Sequence, residues 1–121
     1  MHHARELILN EACDLISIYP GKNGGISKSK AIVDFAAQHG VGCSIGSNLE
    51  WDIGTAAMAH VVVACPNMQV EKFPGDMLGP EYHAARIVTN PIAIDGPRVT
   101  ISDRPGLGVD IDWAVVREHA I

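Results

Sequence analysis

The sequence has few aromatic residues, no run of cationic residues and no long apolar segment. Aromatic residues make up 5% of the 121 residues, and the densest cationic grouping is the spaced set Lys22, Lys28 and Lys30. With a net charge of −5, the chain lacks the basic surface that nucleic acids and anionic membranes attract. No apolar run approaches the roughly 20 residues of a membrane span. We therefore expect neither nucleic acid nor a membrane as a partner.

The cysteines are also few, and their spacing is not that of a metal site. Cys13, Cys43 and Cys65 are odd in number, lie in apolar or strand-like contexts and form no CxxC or paired His/Cys motif. The N-terminus lacks the apolar core of a signal peptide. Free thiols persist in reducing compartments. The sequence thus predicts a cytoplasmic protein with buried free thiols.

The residues that are abundant indicate an α/β fold. Apolar residues reach 47% and are mainly Ala, Ile and Val, which suit buried parallel strands. Apolar runs at Leu15–Tyr19 and Val41–Ile45 predict two such strands, and the amphipathic segment Ser27–His39 predicts the helix between them, capped by Ser27. The glycines of GKNGG predict a turn with positive φ angles. Met68–Phe73 is a weaker third strand.

After residue 85 the pattern changes from strand–helix units to a hairpin. RIVTNPIAI and PRVTI flank Asp95-Gly96, which predicts two antiparallel strands and a tight turn. We divide the chain into residues 1–85, a strand–helix unit, and 86–121, a hairpin and tail. The remaining predicted helices are the end of one over Ala4–Cys13, one that is apolar nearly all round over Trp51–Cys65 and capped by Ser47-Asn48, and a short one over Asp112–His119.

Polar side chains follow the predicted strands at their carboxyl ends, where parallel α/β folds bind ligands. Tyr19 and Lys22 follow the first strand, Glu50 follows the second, and Asp76 follows the third. Lysine and tyrosine are acid/base groups. Each of these residues also has a structural interpretation. Lys22 could be a solvated lysine in a turn, and Tyr19 could pack as an amphipathic side chain. Glu50 could stabilise the helix dipole, and Asp76 could form an Asx turn. Glycine amides at GKNGG also suggest a small-anion site, although the P-loop spacing is absent.

Four segments in order closely resemble the C-terminal part of one enzyme family. They are KNGGISKSKAIVDFAAQHGV, GSNLEWDIGTAAMAH, DMLGP and PGLGVDID, spread over about residues 4–120. The resemblance is to the mandelate racemase/muconate lactonizing enzyme branch of the enolase superfamily. It implies an α/β fold, the C-terminal part of a TIM-type (β/α) barrel. Leu15–Tyr19, Gly42–Ile45 and Met68–Phe73 would be its sixth, seventh and eighth strands, followed by a β-hairpin tail that packs toward the capping domain.

The resemblance also implies a chemistry. Members use Mg²⁺ to stabilise an enolate formed by removing a proton α to a carboxylate. Tyr19 stands where muconate-type members carry a catalytic lysine, so Tyr19 could replace it, Lys22 could reach in, or catalysis could be lost. Glu50 matches a glutamate near the substrate, and we assign Ser47 with it to substrate binding. Asp76 matches the acidic residue of the eighth strand. The mandelate racemase Asp/His dyad has no counterpart.

The family's metal ligands and second-strand lysine lie upstream of Met1 in this comparison. We therefore expect no complete Mg²⁺ site in this chain and no activity from the chain alone. Its substrate class would be a small carboxylate. Open strand edges predict pairing with a second copy or with an N-terminal half. The alternative function is a non-catalytic module that self-associates or binds a small anion.

Overall fold

Two short parallel strands joined by a helix form the centre of the structure, a computed structural model that describes residues 1–120. Strand β1 (Leu15–Ile18) pairs with β2 (Gly42–Ile45), with Leu15 opposite Gly42 and Ile18 opposite Ile45. Every residue of β2 is buried. The helices of this part are α1 (His2–Leu9), the single turn α2 (Pro20–Asn23), α3 (Ile26–Gln38) and α4 (Asp52–Ala64). This confirms the two predicted strands and the helix between them.

Glycines set both ends of α3. Gly24 and Gly25 have φ of 86° and 99°, and Gly40, two residues after the helix ends, has φ of 73°. Side chains rarely adopt such angles, so the predicted glycine turn is confirmed. The cap prediction is wrong, because α3 begins at Ile26 after Gly25, and Ser27 lies inside the first turn. Ile32, Val33 and Ala36 form the buried stripe.

Helix α4 packs on both of its sides, as its apolar sequence predicts. Met58 and Val61 join the core under the parallel strands, which includes Ile18. Ala56 and Ala59 join a second core on the other side of the helix, formed with the tail. Val63 is the exception, with 67% of its surface exposed. The helix therefore lies between the strand unit and the tail.

The predicted strand at Met68–Phe73 is wrong in its extent. Only an isolated parallel bridge forms, between Cys43 and Met68. The amides of Lys72 and Phe73 donate to the Gln69 carbonyl at 3.1 and 2.8 Å, so this stretch is a turn. The chain then returns to β2, where the Asp76 amide donates to the Ile45 carbonyl at 3.1 Å. The segment follows the path of a third strand but pairs only at its ends.

The tail forms a hairpin that is shorter than predicted. Strands β3 (Ala93–Asp95) and β4 (Arg98–Thr100) are antiparallel. The turn is Gly96-Pro97, one residue later than expected, with Gly96 at φ 54°. Residues 86–92 are not a strand, since within this range only Val88 forms a bridge, to Ile111. Helix α5 (Trp113–Glu118) is capped by the Asp112 carboxylate, which accepts from two amides.

The hairpin and the loop after it bury apolar side chains against α4. The buried Ile92 contacts the alanines of the helix, and Val99, Ile101 and Leu107 pack around it. His60, on the same helix, has its Nε2 3.4 Å from the Leu107 carbonyl. Residues 86–120 therefore pack on the strand unit of their own chain. That the tail also faces a capping domain stays a prediction.

All three cysteines are free, and two are buried. Burial raises the pKa of the Cys43 thiol to about 11, and the nearby Cys65 adds to the rise. Cys13 is partly exposed. Among residues 1–120, no helix has the length and apolar character to cross a membrane.

Candidate functional site

Backbone hydrogen bonds bring the three predicted strand exits to one edge of the structure. The Gly46 amide donates to the Ile18 carbonyl at 2.9 Å, and the Asp76 amide donates to the Ile45 carbonyl at 3.1 Å. Tyr19, the loop after Gly46 and Asp76 therefore lie side by side. We call this edge the carboxyl rim: residues 19–22, 46–50 and 75–76.

Tyr19 and Lys22 are in contact at the first exit. The Lys22 Nζ lies 4.1 Å from the centroid of the Tyr19 ring. The turn α2 creates this contact, because the Lys22 and Asn23 amides donate to the Tyr19 carbonyl at 2.9 and 2.8 Å. The tyrosine ring also covers Gly46, where an added Cβ would lie 2.6 Å from the Tyr19 hydroxyl. A phenol and an ammonium group thus share the first exit, and the ring reaches the second.

The Glu50 carboxylate is held by three hydrogen bonds from its own loop. Its Oε2 accepts from the Ser47 hydroxyl and the Asn48 amide, both at 2.7 Å, and its Oε1 accepts from the Asn48 side chain at 3.0 Å. Partial burial acts to raise the pKa of Glu50, but these hydrogen bonds together outweigh it and lower the pKa below its usual value. Glu50 is therefore a carboxylate at neutral pH.

Ser47 belongs to this site and not to a helix cap. Helix α4 begins at Asp52 after Trp51, with no side-chain cap, so the predicted Ser47-Asn48 cap is wrong. The Ser47 hydroxyl donates to Glu50 and accepts from the Leu49 amide at 2.8 Å. The reason is the length of the loop, which puts four residues between Ser47 and the helix. We call residues 47–51 the Glu50 loop.

Two glycines outside the loop let Glu50 sit close to neighbouring backbone. A Cβ on Gly54 would lie 2.7 Å from the Glu50 Cβ, and a Cβ on Gly79 would lie 2.7 Å from the Glu50 amide nitrogen. Contacts below 3.0 Å force a shift in a packed structure. Neither glycine stood out in the sequence, because their closeness to Glu50 depends on the fold.

Asp76 lies on the rim, but its side chain is engaged by its own chain. It is exposed, and its Oδ1 accepts from the Leu78 amide at 3.0 Å. This is an Asx turn, the structural role weighed against catalysis. The other four predicted residues, Tyr19, Lys22, Ser47 and Glu50, form two contacting pairs on the same rim.

Sequence reasoning missed a buried ion pair directly below the loop. The Asp52 side chain is 1% exposed, and its Oδ1 accepts from Nε of Arg86 at 2.7 Å and from Nη2 of the same residue. Hydrogen bonding to Asp52 raises the pKa of Arg86. Arg86 Nη1 also lies 3.3 Å from the Glu81 carboxylate. The partners are 34 residues apart, and no local sequence signal joins them.

The described residues do not fit a metal ion. Within residues 1–120, no group of three or more His, Cys, Asp or Glu side chains is placed to hold one. Divalent metal sites in enzymes use several such ligands. The rim therefore offers a phenol, an ammonium and a fixed carboxylate, and no step is assigned to a metal on it.

Parallel strands with joining helices and polar groups at the strands' carboxyl ends are features of part of a (β/α) barrel. The family profile described as "Enolase C-terminal domain-like" matches residues 1–115. The chain belongs to this family, as its sequence motifs predict.

Individual relatives agree with this assignment. Muconate cycloisomerase 1 of Rhodococcus opacus is 31% identical over 116 residues, which cover 96% of this chain and 30% of that protein. The o-succinylbenzoate synthase of Bacillus subtilis is 31% identical over 117 residues, with the same coverage. The solved muconate lactonizing enzyme from Pseudomonas putida superposes with a TM-score of 0.90 at 26% identity, covering 98% of this chain and 32% of that one. The chain thus spans about a third of the length of these relatives.

Proposed function

We propose that this chain forms the sixth-to-eighth-strand wall of an active site that removes a proton α to a carboxylate. The observation that carries the proposal is the shared rim, on which Tyr19 and Lys22 lie beside the loop of Glu50. One of the relatives of this chain, Muconate cycloisomerase 1, is named as an isomerase. The class of reaction is therefore dehydration, cycloisomerisation or racemisation of a small carboxylate.

In this proposal, some residues of the chain transfer the proton and others bind the substrate. Tyr19 Oη or Lys22 Nζ exchanges the proton with the α-carbon. Glu50 stays ionised and accepts hydrogen bonds from substrate hydroxyl or amide groups, with Ser47 beside it. Asp76 contributes charge at the third exit. The family's Mg²⁺ would stabilise the enolate oxygen, and its ligands would come from outside this chain.

A chimera tests the proposal. The upstream part of Muconate cycloisomerase 1 from Rhodococcus opacus, followed by this chain, is assayed for α-proton exchange in D₂O on a panel of carboxylates with Mg²⁺. We expect exchange in the chimera and none by this chain alone. Loss of an acid/base group costs about 10²–10⁴-fold, so Tyr19→Phe or Lys22→Met should slow exchange by that factor.

The matched control is Lys72→Met, because Lys72 also lies over an aromatic ring, 4.9 Å from the centroid of Phe73, but is not one of the rim residues. It should leave exchange unchanged. Turnover by the isolated chain would contradict the proposal. So would unchanged exchange in folded Tyr19→Phe and Lys22→Met chimeras.

A second role, as an assembly module, has one observation in its favour. Within residues 1–120, β1 pairs only with β2, and a cavity of about 280 Å³ lined by Leu7, Ile16 and Ile32 lies beside it. Unpaired strand edges recruit other chains. We propose that this edge pairs with a second copy or with an N-terminal half, in a reducing cytoplasm that the three free thiols suit.

Sedimentation measures this directly. At micromolar concentration we expect the chain to sediment as a dimer or larger species. Ile16→Lys, which puts a charge beside the free edge, should shift it to monomer. A wild-type chain that remains monomeric would argue against edge pairing.

A further inference from the structure

We propose that His83 is a positioning residue that holds the Glu50 loop in the geometry seen in this structure. The Nε2 atom of His83 lies 2.8 Å from the Leu49 carbonyl. Its ring stacks on Trp51, with centroids 4.2 Å apart and planes at 19°. Glu50 is the residue between these two, so one imidazole fixes both of its neighbours. The proposal rests on the substrate-binding role proposed above for Glu50.

The loop needs holding because its backbone is strained. Leu49 has φ of 62°, in the left-handed region that side chains other than glycine rarely occupy. Such a conformation is destabilising and persists only where its surroundings enforce it. The Ser47 hydroxyl accepts from the Leu49 amide, and His83 donates to the Leu49 carbonyl. The strained residue Leu49 is thus held at both its amide and its carbonyl.

The segment that carries His83 follows the loop along its length. A 3₁₀ helix, Gly79–Tyr82, begins where Gly79 contacts the Glu50 backbone. His83 comes directly after this helix, and Arg86 then reaches Asp52, the first residue of α4. Three successive contacts therefore run from residues 79–86 to residues 49–52. Of the three, the His83 contact is the hydrogen bond to Leu49.

Release of Leu49 would change the environment of the Glu50 carboxylate. The Ser47 and Asn48 donors reach Glu50 because the loop is tightly folded. If Leu49 relaxes to negative φ, these donors separate from the carboxylate, and its pKa returns toward the usual 4.5. A residue that acts only on stability would leave the pKa of Glu50 in the folded chain unchanged.

The experiment is an NMR titration of the Glu50 side-chain carboxyl carbon in the folded chain. We expect His83→Ala to raise the pKa of Glu50 most of the way to that of Ser47→Ala, which removes a donor directly. His83→Gln keeps a donor for Leu49 without charge and should retain most of the lowered pKa. A glutamine variant that behaves like alanine would mean that the hydrogen bond to Leu49 does not hold the loop, and would overturn the proposal.

His39→Ala is the matched control, because His39 also contacts a carbonyl, that of Phe35 at 2.9 Å, and packs on an aromatic ring, but lies at the far end of α3. It should leave the Glu50 pKa unchanged.

If His83→Ala does not fold, the tautomer of the His83 ring in the wild-type chain tests the proposal. Neutral His83 must carry its proton on Nε2, and the opposite tautomer in a nitrogen-15 spectrum would overturn the proposal. Chimera exchange that survives Glu50→Gln would refute the substrate-binding role of Glu50 without altering this result.

Discussion

Replacing Arg86 with alanine should destabilise the folded chain by about 3 kcal/mol. The substitution leaves the Asp52 carboxylate, 1% exposed, without its cation. Removing one partner of a buried ion pair costs about 3–5 kcal/mol. We expect a cost at the lower end of this range, because the Arg86 side chain is 32% exposed and water can enter when the side chain is removed. Urea unfolding followed by circular dichroism measures the change.

Arg104→Ala is the matched control for this result. Arg104 pairs with Asp110 at 2.6 Å, but both side chains are more than half exposed, and such pairs contribute about 0–1 kcal/mol. Adding Asp52→Ala to Arg86→Ala should recover part of the loss, because no charge then remains buried. If Arg86→Ala costs no more than Arg104→Ala, the buried ion pair contributes no more to stability than an exposed one, and the prediction is wrong.

Replacing Ile18 with alanine should cost about 3–4 kcal/mol, within the range for large-to-small changes in a packed core. Ile18 is fully buried at the end of β1, in the core that also contains Ile45 and Met58. The cavity would open beneath Tyr19, the next residue. Thermal or urea unfolding measures the loss, and a changed Tyr19 ring signal would report the loosened rim.

Ile26→Ala removes the same atoms from a different environment. Ile26 begins α3 and is 44% exposed, so the change should stay within about 0.5 kcal/mol. Equal losses at the two positions would mean that Ile18 does not lie in a close-packed core.

The sequence predicted the parts of the fold that depend on local pattern. Strands β1 and β2 are short apolar runs stopped by glycine or proline, and α3 has a clear amphipathic stripe, so neighbouring residues specify them. The segment Met68–Phe73 has no comparable pattern. The segment forms a turn at Gln69 in place of the hydrogen bonds of a third strand. Whether a turn or a strand forms depends on the packing against β2, which lies beside it.

The site shows the same division. The strand-exit rule placed Tyr19, Lys22, Ser47 and Glu50 on one rim without the structure. It could not supply the details, because these come from residues far along the chain. His83 reaches Leu49 from 34 positions away, and Arg86 reaches Asp52 over the same separation. Neither contact has a signature in the sequence between them.

The buried thiols have a practical consequence for handling this chain. Thiolate is the form that alkylating reagents attack, and with a pKa of about 11 Cys43 holds only about one part in ten thousand as thiolate at pH 7. Cys65 is buried at the end of α4. Reagents should therefore label Cys13 first. The rate at which Cys43 and Cys65 are labelled afterwards would report how often the packing between β2 and α4 opens, and no probe needs to be added.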